Sequence, residues 1–153
     1  MIARLPAWGF CAAVMIGLAD QGTKQIVRAS LDYGEIIPIT GFFNLTHHYN
    51  RGAAFGLFAS GSTALLAFGV VATIVLSVLL WRSRHHRWSA AAFAAMLGGA
   101  IGNLVDRFRH SAVVDWLDFH FSGWHWPAFN VADIALTVGV ALYLFGDLRR
   151  GTR

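Results

Sequence analysis

The stretch WSAAAFAAMLGGAIGNLVDR, residues 88–107, decides the fold. It is long enough and apolar enough to cross a bilayer as one helix of about 20 residues, and its amide and ionisable side chains, Asn103, Asp106 and Arg107, gather at one end. Gly98 and Gly102 form a small-xxx-small pair that lets a second helix approach closely. Comparable apolar runs cover residues 7–27, 62–81 and 129–148. Over the whole chain, 56% of the 153 residues are hydrophobic and 13% are charged, with a mean hydropathy of +0.54. Those figures lie outside the range of soluble domains. We therefore expect a single all-α membrane domain over residues 1–153, with four transmembrane helices.

Basic residues set the direction. With the N-terminus inside, Arg4, Arg82, Arg84, Arg87, Arg149, Arg150 and Arg153 are cytoplasmic, against Lys24, Arg28, Arg51, Arg107 and Arg109 on the other side. This bias predicts both termini inside. Of the carboxylates, Asp147 falls inward, whereas Asp20, Asp32, Glu35, Asp106, Asp115, Asp118 and Asp133 lie toward the outside. The formal charge of +4 is scattered between apolar runs, so nucleic acid is not an expected partner and membrane lipid is. Arg4, the apolar run and the small residues before Asp20 also imitate a cleavable signal peptide. Because Asp20 and Lys24 belong to the polar pattern described next, the first helix is retained.

Residues 28–60, with FFNLTHHYN at their centre, have the β-branched and aromatic content of short strands and predict a small extracytoplasmic β element. Residues 108–128 carry Trp116, Phe119, Phe121, Trp124 and Trp126, which predicts an interfacial loop between helices 3 and 4, with Asp118 solvated at the membrane surface.

Ionisable groups within a span read as functional by default. Asp20 and Lys24 share a face of the first helix; Asn103, Asp106 and Arg107 share one on the third; Asn130, Asp133 and Thr137 share one on the fourth. At a rise of about 1.5 Å per residue, Asp133 lies ~6 Å below the outer start of its run, and Asp20 ~20 Å up a core of about 30 Å. Both depths are in the outer half. Structural ion pairing is the competing reading for Asp20 with Lys24 and for Asp106 with Arg107.

Asp115 and Asp133 bracket the aromatic stretch. Two carboxyls sharing one proton can hydrolyse a peptide bond, the ionised one taking a proton from water and the neutral one donating to the scissile carbonyl. Spacing does not assign the two roles. The seven histidines lack the HExxH spacing of a zinc helix and no GxSxG is present, so neither a metal nor a serine nucleophile is expected. The residues alone leave open a small proton- or cation-coupled transporter.

DQGTK at 20–24, YNRGAAFG at 49–56, GGAIGNLVDR at 98–107, VVDW at 113–116 and FNVAD at 129–133 occur in that order on a chain of this length. In this it resembles the lipoprotein signal peptidase (signal peptidase II) family of bacterial membrane aspartic peptidases. The resemblance implies a catalytic pair, Asp115 and Asp133; substrate-binding residues Asp20, Asn50, Asn103, Arg107 and Asn130; and structural support from Lys24, Gly52 and Asp106. It implies no cofactor. The expected substrate is a prolipoprotein with a diacylglyceryl cysteine, cut N-terminal to that cysteine by a monomer at the outer leaflet of the cytoplasmic membrane. Trp116 stands where many relatives have phenylalanine, which is expected to alter pocket shape and not mechanism.

Overall fold

The computed structural model describes residues 7–52, 62–83 and 85–151. In chain order these form α1 (Ala7–Ser30), β1 (Ile36–Thr40), β2 (Phe43–Asn50), α2 (Ser62–Arg82), α3 (Arg87–His110), β3 (Val113–Phe121), β4 (Trp124–His125) and α4 (Val131–Gly151). Small residues put α3 at the centre. A Cβ on Gly98 would lie 2.7 Å from the Ala13 carbonyl oxygen of α1, and one on Gly99 would overlap the Ala132 carbonyl oxygen of α4. On the opposing helix, a Cβ on Gly139 would lie 2.8 Å from the Ala92 carbonyl oxygen. The backbones touch where side chains would otherwise hold them apart.

Burial follows from that arrangement. Two thirds (67%) of the α3 span is inside the molecule, against 22% for α4 and 6% for α2. α2 is apolar around its whole circumference, with Phe68, Val71, Ile74 and Val78 facing outward. Outside a bilayer such a surface would be unfavourable; against lipid tails it is not. Among the described residues, α2, α3 and α4 are long and apolar enough to cross a membrane. α1, as long as α3, is not one of these, because Asp20, Gln21, Lys24 and Arg28 interrupt its apolar run.

The expectation of an interfacial loop between helices 3 and 4 is corrected. Residues 36–50 and 113–125 form one four-stranded antiparallel sheet in the order β1-β2-β3-β4. The segment expected to be an interfacial loop is its third and fourth strands: Phe43 pairs with Phe119, Asn44 with Asp118, Tyr49 with Val114 and Asn50 with Val113. Alternating aromatic and β-branched residues favour such pairing, and the partner strand lies some 70 residues away, a distance local pattern does not span. The expected β element at 28–60 is realised in β1 and β2, its first residues belong to α1, and residues 53–61 lie outside the described residues.

If the glycine contacts set the helix spacing, Gly99→Ala lowers stability by roughly 1–3 kcal/mol through overpacking. Gly22→Ala, where a Cβ meets nothing within 4 Å, leaves it unchanged or slightly raised. Thermal unfolding of the two purified variants in one detergent checks this; equal melting temperatures would count against the close packing.

Candidate active site

Lys24 is fully buried, so its ammonium must find all its partners inside the protein. It lies 2.8 Å from Asp20 Oδ2 and 3.0 Å from Asp106 Oδ2, and donates to Asn103 Oδ1 at 3.0 Å. Three donors meet three acceptors. The two carboxyls reach further: Asp20 Oδ1, the oxygen away from Lys24, accepts from the Ala132 N–H at the start of α4 (2.9 Å), and Asp106 Oδ2, the oxygen that faces Lys24, also accepts from the Val114 N–H of β3 (3.0 Å). Gln21 Nε2 donates to Asp106 Oδ1 at 2.9 Å and to the Gly102 carbonyl at 3.1 Å. Gly102 is required here, since a Cβ would stand 2.5 Å from Asp20 Oδ2.

The first turn of α4 holds Asp133. Asn130 Oδ1 accepts from the Asp133 N–H (3.0 Å) and Asp133 Oδ2 accepts from the Asn130 N–H (3.3 Å), a reciprocal cap of the S/T-x-x-E type. Asp133 Oδ1 accepts from Asn103 Nδ2 at 2.8 Å. Asp115 is brought opposite by β3. Its Oδ1 accepts from Asn130 Nδ2 at 2.7 Å and its Oδ2 from Asn50 Nδ2 at 3.0 Å. Asn50 reaches it because it pairs with Val113, two residues away on the same face of β3. The Gly52 N–H donates to Asn50 Oδ1 at 3.0 Å, fixing that amide's orientation.

The chain between the two aspartates closes through the sheet. The Trp116 and Leu117 N–H groups donate to the Phe129 carbonyl (3.0 and 2.9 Å), and the Phe129 N–H returns a bond to the Leu117 carbonyl (3.1 Å). Asp115 and Asp133 thereby share a cavity of about 580 Å³. Asn50, Gly52, Asn103 and Arg107 complete its polar wall; Val113, Trp126, Pro127, Phe129, Ile134 and Val138 are among its apolar lining.

Of the ten residues singled out in the sequence, six line this cavity. Asp20, Lys24, Asp106 and Asn130 are fully buried behind it. Asn130 touches both aspartates, whereas Asp20, expected in the substrate pocket, instead caps α4 across the helix interface. Arg107 donates to the Asn103 carbonyl at 3.4 Å and keeps its guanidinium on the cavity. Gln21 was missed, although its place beside Asp20 was a signal. The N-x-x-D cap at 130–133 was equally legible.

Asp118, expected to be solvated, is buried, and the reason is local pairing. Asn44 Nδ2 donates to it at 2.7 Å and His125 Nδ1 lies 2.8 Å from it, across the sheet. Burial alone would raise its pKa; the Asn44 and His125 contacts outweigh that and hold it below 3.8. Asp115 goes the other way. Burial first, and then the proximity of Asp133, push it up to about 7, against the donated bonds from Asn50 and Asn130. Among the described residues no cluster of histidine, cysteine or carboxylate side chains could hold a metal ion.

Solved structures that share this fold include two bacterial membrane enzymes determined by the in meso method. One, at 2.3 Å resolution, is 30% identical with a TM-score of 0.85, over 94% of this chain and 88% of that one. The other, at 1.9 Å, is 30% identical with a TM-score of 0.83 and covers 93% of each. The family model described as Signal peptidase (SPase) II matches residues 12–149, and the chain belongs to that family. It is 50% identical over 154 residues to the lipoprotein signal peptidase of Azoarcus sp. (strain BH72), covering 98% of this chain and 86% of the relative. To that of Burkholderia mallei (strain SAVP1) it is 46% identical over 142 residues, covering 90% and 86%. The family is one of peptidases, which removes the transporter reading.

The raised value of Asp115 has a thermodynamic consequence. The unfolded chain releases this proton near 3.8 and the folded chain near 7, so the stabilisation from keeping it is complete below 3.8 and is lost as pH rises through 7. Between those limits wild type loses stability relative to Asp115→Asn, which has nothing to release. Melting temperatures of both proteins at pH 4, 5.5, 7 and 8 test this, and a constant difference would refute it.

Proposed function

We propose that this protein is an aspartic endopeptidase that removes the signal peptide from diacylglyceryl-modified prolipoproteins, cleaving N-terminal to the lipidated cysteine. Asp115 and Asp133 activate a water molecule. One observation carries the reading: a buried aspartate on a strand and a half-buried one on a helix open onto the same cavity and are met by neutral amides. Family membership and the relatives' names supply the substrate class.

In the reaction, one carboxylate takes a proton from water as the water oxygen bonds to the scissile carbon. The other carboxyl gives its proton to the carbonyl oxygen. Collapse of the resulting tetrahedral diol breaks the C–N bond, the leaving nitrogen recovering a proton from the first carboxyl and the second regaining one from a diol hydroxyl. Asn50, Asn103 and Asn130 hold the pair, and Arg107 faces the cavity to bind the substrate backbone. The apolar wall from Trp126 to Phe129, with Ile134 and Val138, suits a substrate that is itself partly lipid.

We further read all four helices as spanning the cytoplasmic membrane, both termini inside and the sheet on the outer face. α1 is included because Asp20 and Lys24 are fully buried against α3 and never meet lipid. A monomer suffices for the site, since every residue named comes from one chain.

Asp115→Asn and Asp133→Asn should each insert and fold yet lose more than about 10³-fold in turnover of a diacylglyceryl-modified precursor. The same precursor without the lipid should be cut poorly by wild type, and a chelator should leave wild type unaffected. Near-normal turnover by either variant would sink the paired-aspartate reading; equal cleavage of both precursors would sink the substrate class.

A further inference from the structure

We infer that Lys24 is a positioning residue for the chemistry: it fixes the orientation of the Asn103 amide so that a donor, not an acceptor, faces Asp133, and in that way favours the ionised form of Asp133. This rests on the paired-aspartate reading and adds to it the residue that orients the partner of Asp133.

The argument begins with what an ammonium can accept, which is nothing. Lys24 Nζ sits 3.0 Å from one end of the Asn103 side chain, so that end must be the carbonyl oxygen. The other end, Nδ2, is then directed at Asp133 Oδ1 at 2.8 Å as a donor. Among the described residues, Asn103 has one further side-chain hydrogen bond to hold this orientation, a 3.3 Å bond from Asn130 Nδ2, a group whose shortest bond, 2.7 Å, goes to Asp115. Without Lys24 the amide is free to flip. Its oxygen would then face a carboxyl oxygen, an arrangement tolerated only if that oxygen carries a proton. A donor aimed at Asp133 therefore keeps it ready to receive a proton from water.

Asp133 is faced by Lys24 and Asp20 from α1, by Arg107 from α3 and by Asp115 from β3. Asp115 sits on the sheet, is almost completely buried, and accepts from the amides of Asn50 and Asn130.

The test removes the ammonium without unbalancing the buried charge. In Asp106→Asn a negative charge is already gone, so adding Lys24→Met returns the cluster to its native net charge. Compared with Asp106→Asn alone, the double variant should lose ~10²-fold in kcat on the lipidated precursor, with KM within about twofold and the acidic limb of the pH–rate profile moved up by about one unit. In a background carrying Asn103→Ala the same lysine change should cost less than about threefold, because the amide it orients is absent. Equal losses in both backgrounds, or a fall in melting temperature with an unmoved pH limb, would overturn the inference. Should the double variant not fold, Asn103→Asp decides: it keeps the acceptor for Lys24 and removes the donor, so it should be stable and nearly inactive, and normal turnover overturns the role. Failure of the paired-aspartate reading itself is recognised separately, by turnover in Asp115→Asn or Asp133→Asn.

Discussion

The buried ammonium of Lys24 is the constraint on which the rest depends. A lone charge inside an apolar bundle is unfavourable by several kcal/mol, and here it is met by acceptors that cannot move independently. Asp20 lies on its own helix; Asp106 and Asn103 lie on α3; and the same carboxyls hold the first turn of α4 and the second residue of β3. One cation thus gathers three helices and the sheet at a single level. The glycines of α3 are the geometric counterpart. Gly98 and Gly99 bring α1 and α4 within backbone contact, and Gly102 leaves the volume that Asp20 fills.

That gathering fixes the site from both sides. α4 presents Asp133 from a helix start tied down by Asn130, Asn103 and, one residue earlier, Asp20. β3 presents Asp115 from a strand tied to β2 on one edge and to Phe129 on the other. Holding reacting groups on rigid elements whose partners are themselves held is what lets an amide keep its orientation through a catalytic cycle.

Much of this was legible in the residues, for identifiable reasons. Helices announce themselves through runs of nearest neighbours, so α2, α3 and α4 lie within a few residues of the apolar runs. The polar residues were found because charge within a span is rare, and helical spacing put Asp20 with Lys24 and Asn130 with Asp133. Other features depend on partners far along the chain. β3 looked like an interfacial loop because its aromatic residues suit the headgroup layer as well as a strand, and only its pairing with β2 separates the two. Asp118 looked solvated because nothing local pointed to Asn44, 74 positions away. Sequence spacing points Asp20 to the pocket because a buried acid near a cavity and one behind its wall have the same spacing.

The aspartates of this region differ less in themselves than in what answers them. Asp20 and Asp106 are matched by an ammonium. Asp118 is matched by an imidazole and an amide. Asp115 and Asp133 receive their direct side-chain hydrogen bonds from the amides of Asn50, Asn103 and Asn130, with Arg107 set on the same cavity without an ion pair to either among the described residues. An ion pair holds a carboxylate strongly in its charged form, whereas a neutral amide donor favours that form more weakly, orienting the carboxyl and leaving it able to gain and lose a proton. Chemistry that passes a proton between two acids needs the second kind of partner. The cationic contacts are accordingly spent one layer away, where Lys24 can set the direction of an amide without quenching the acid that the amide serves.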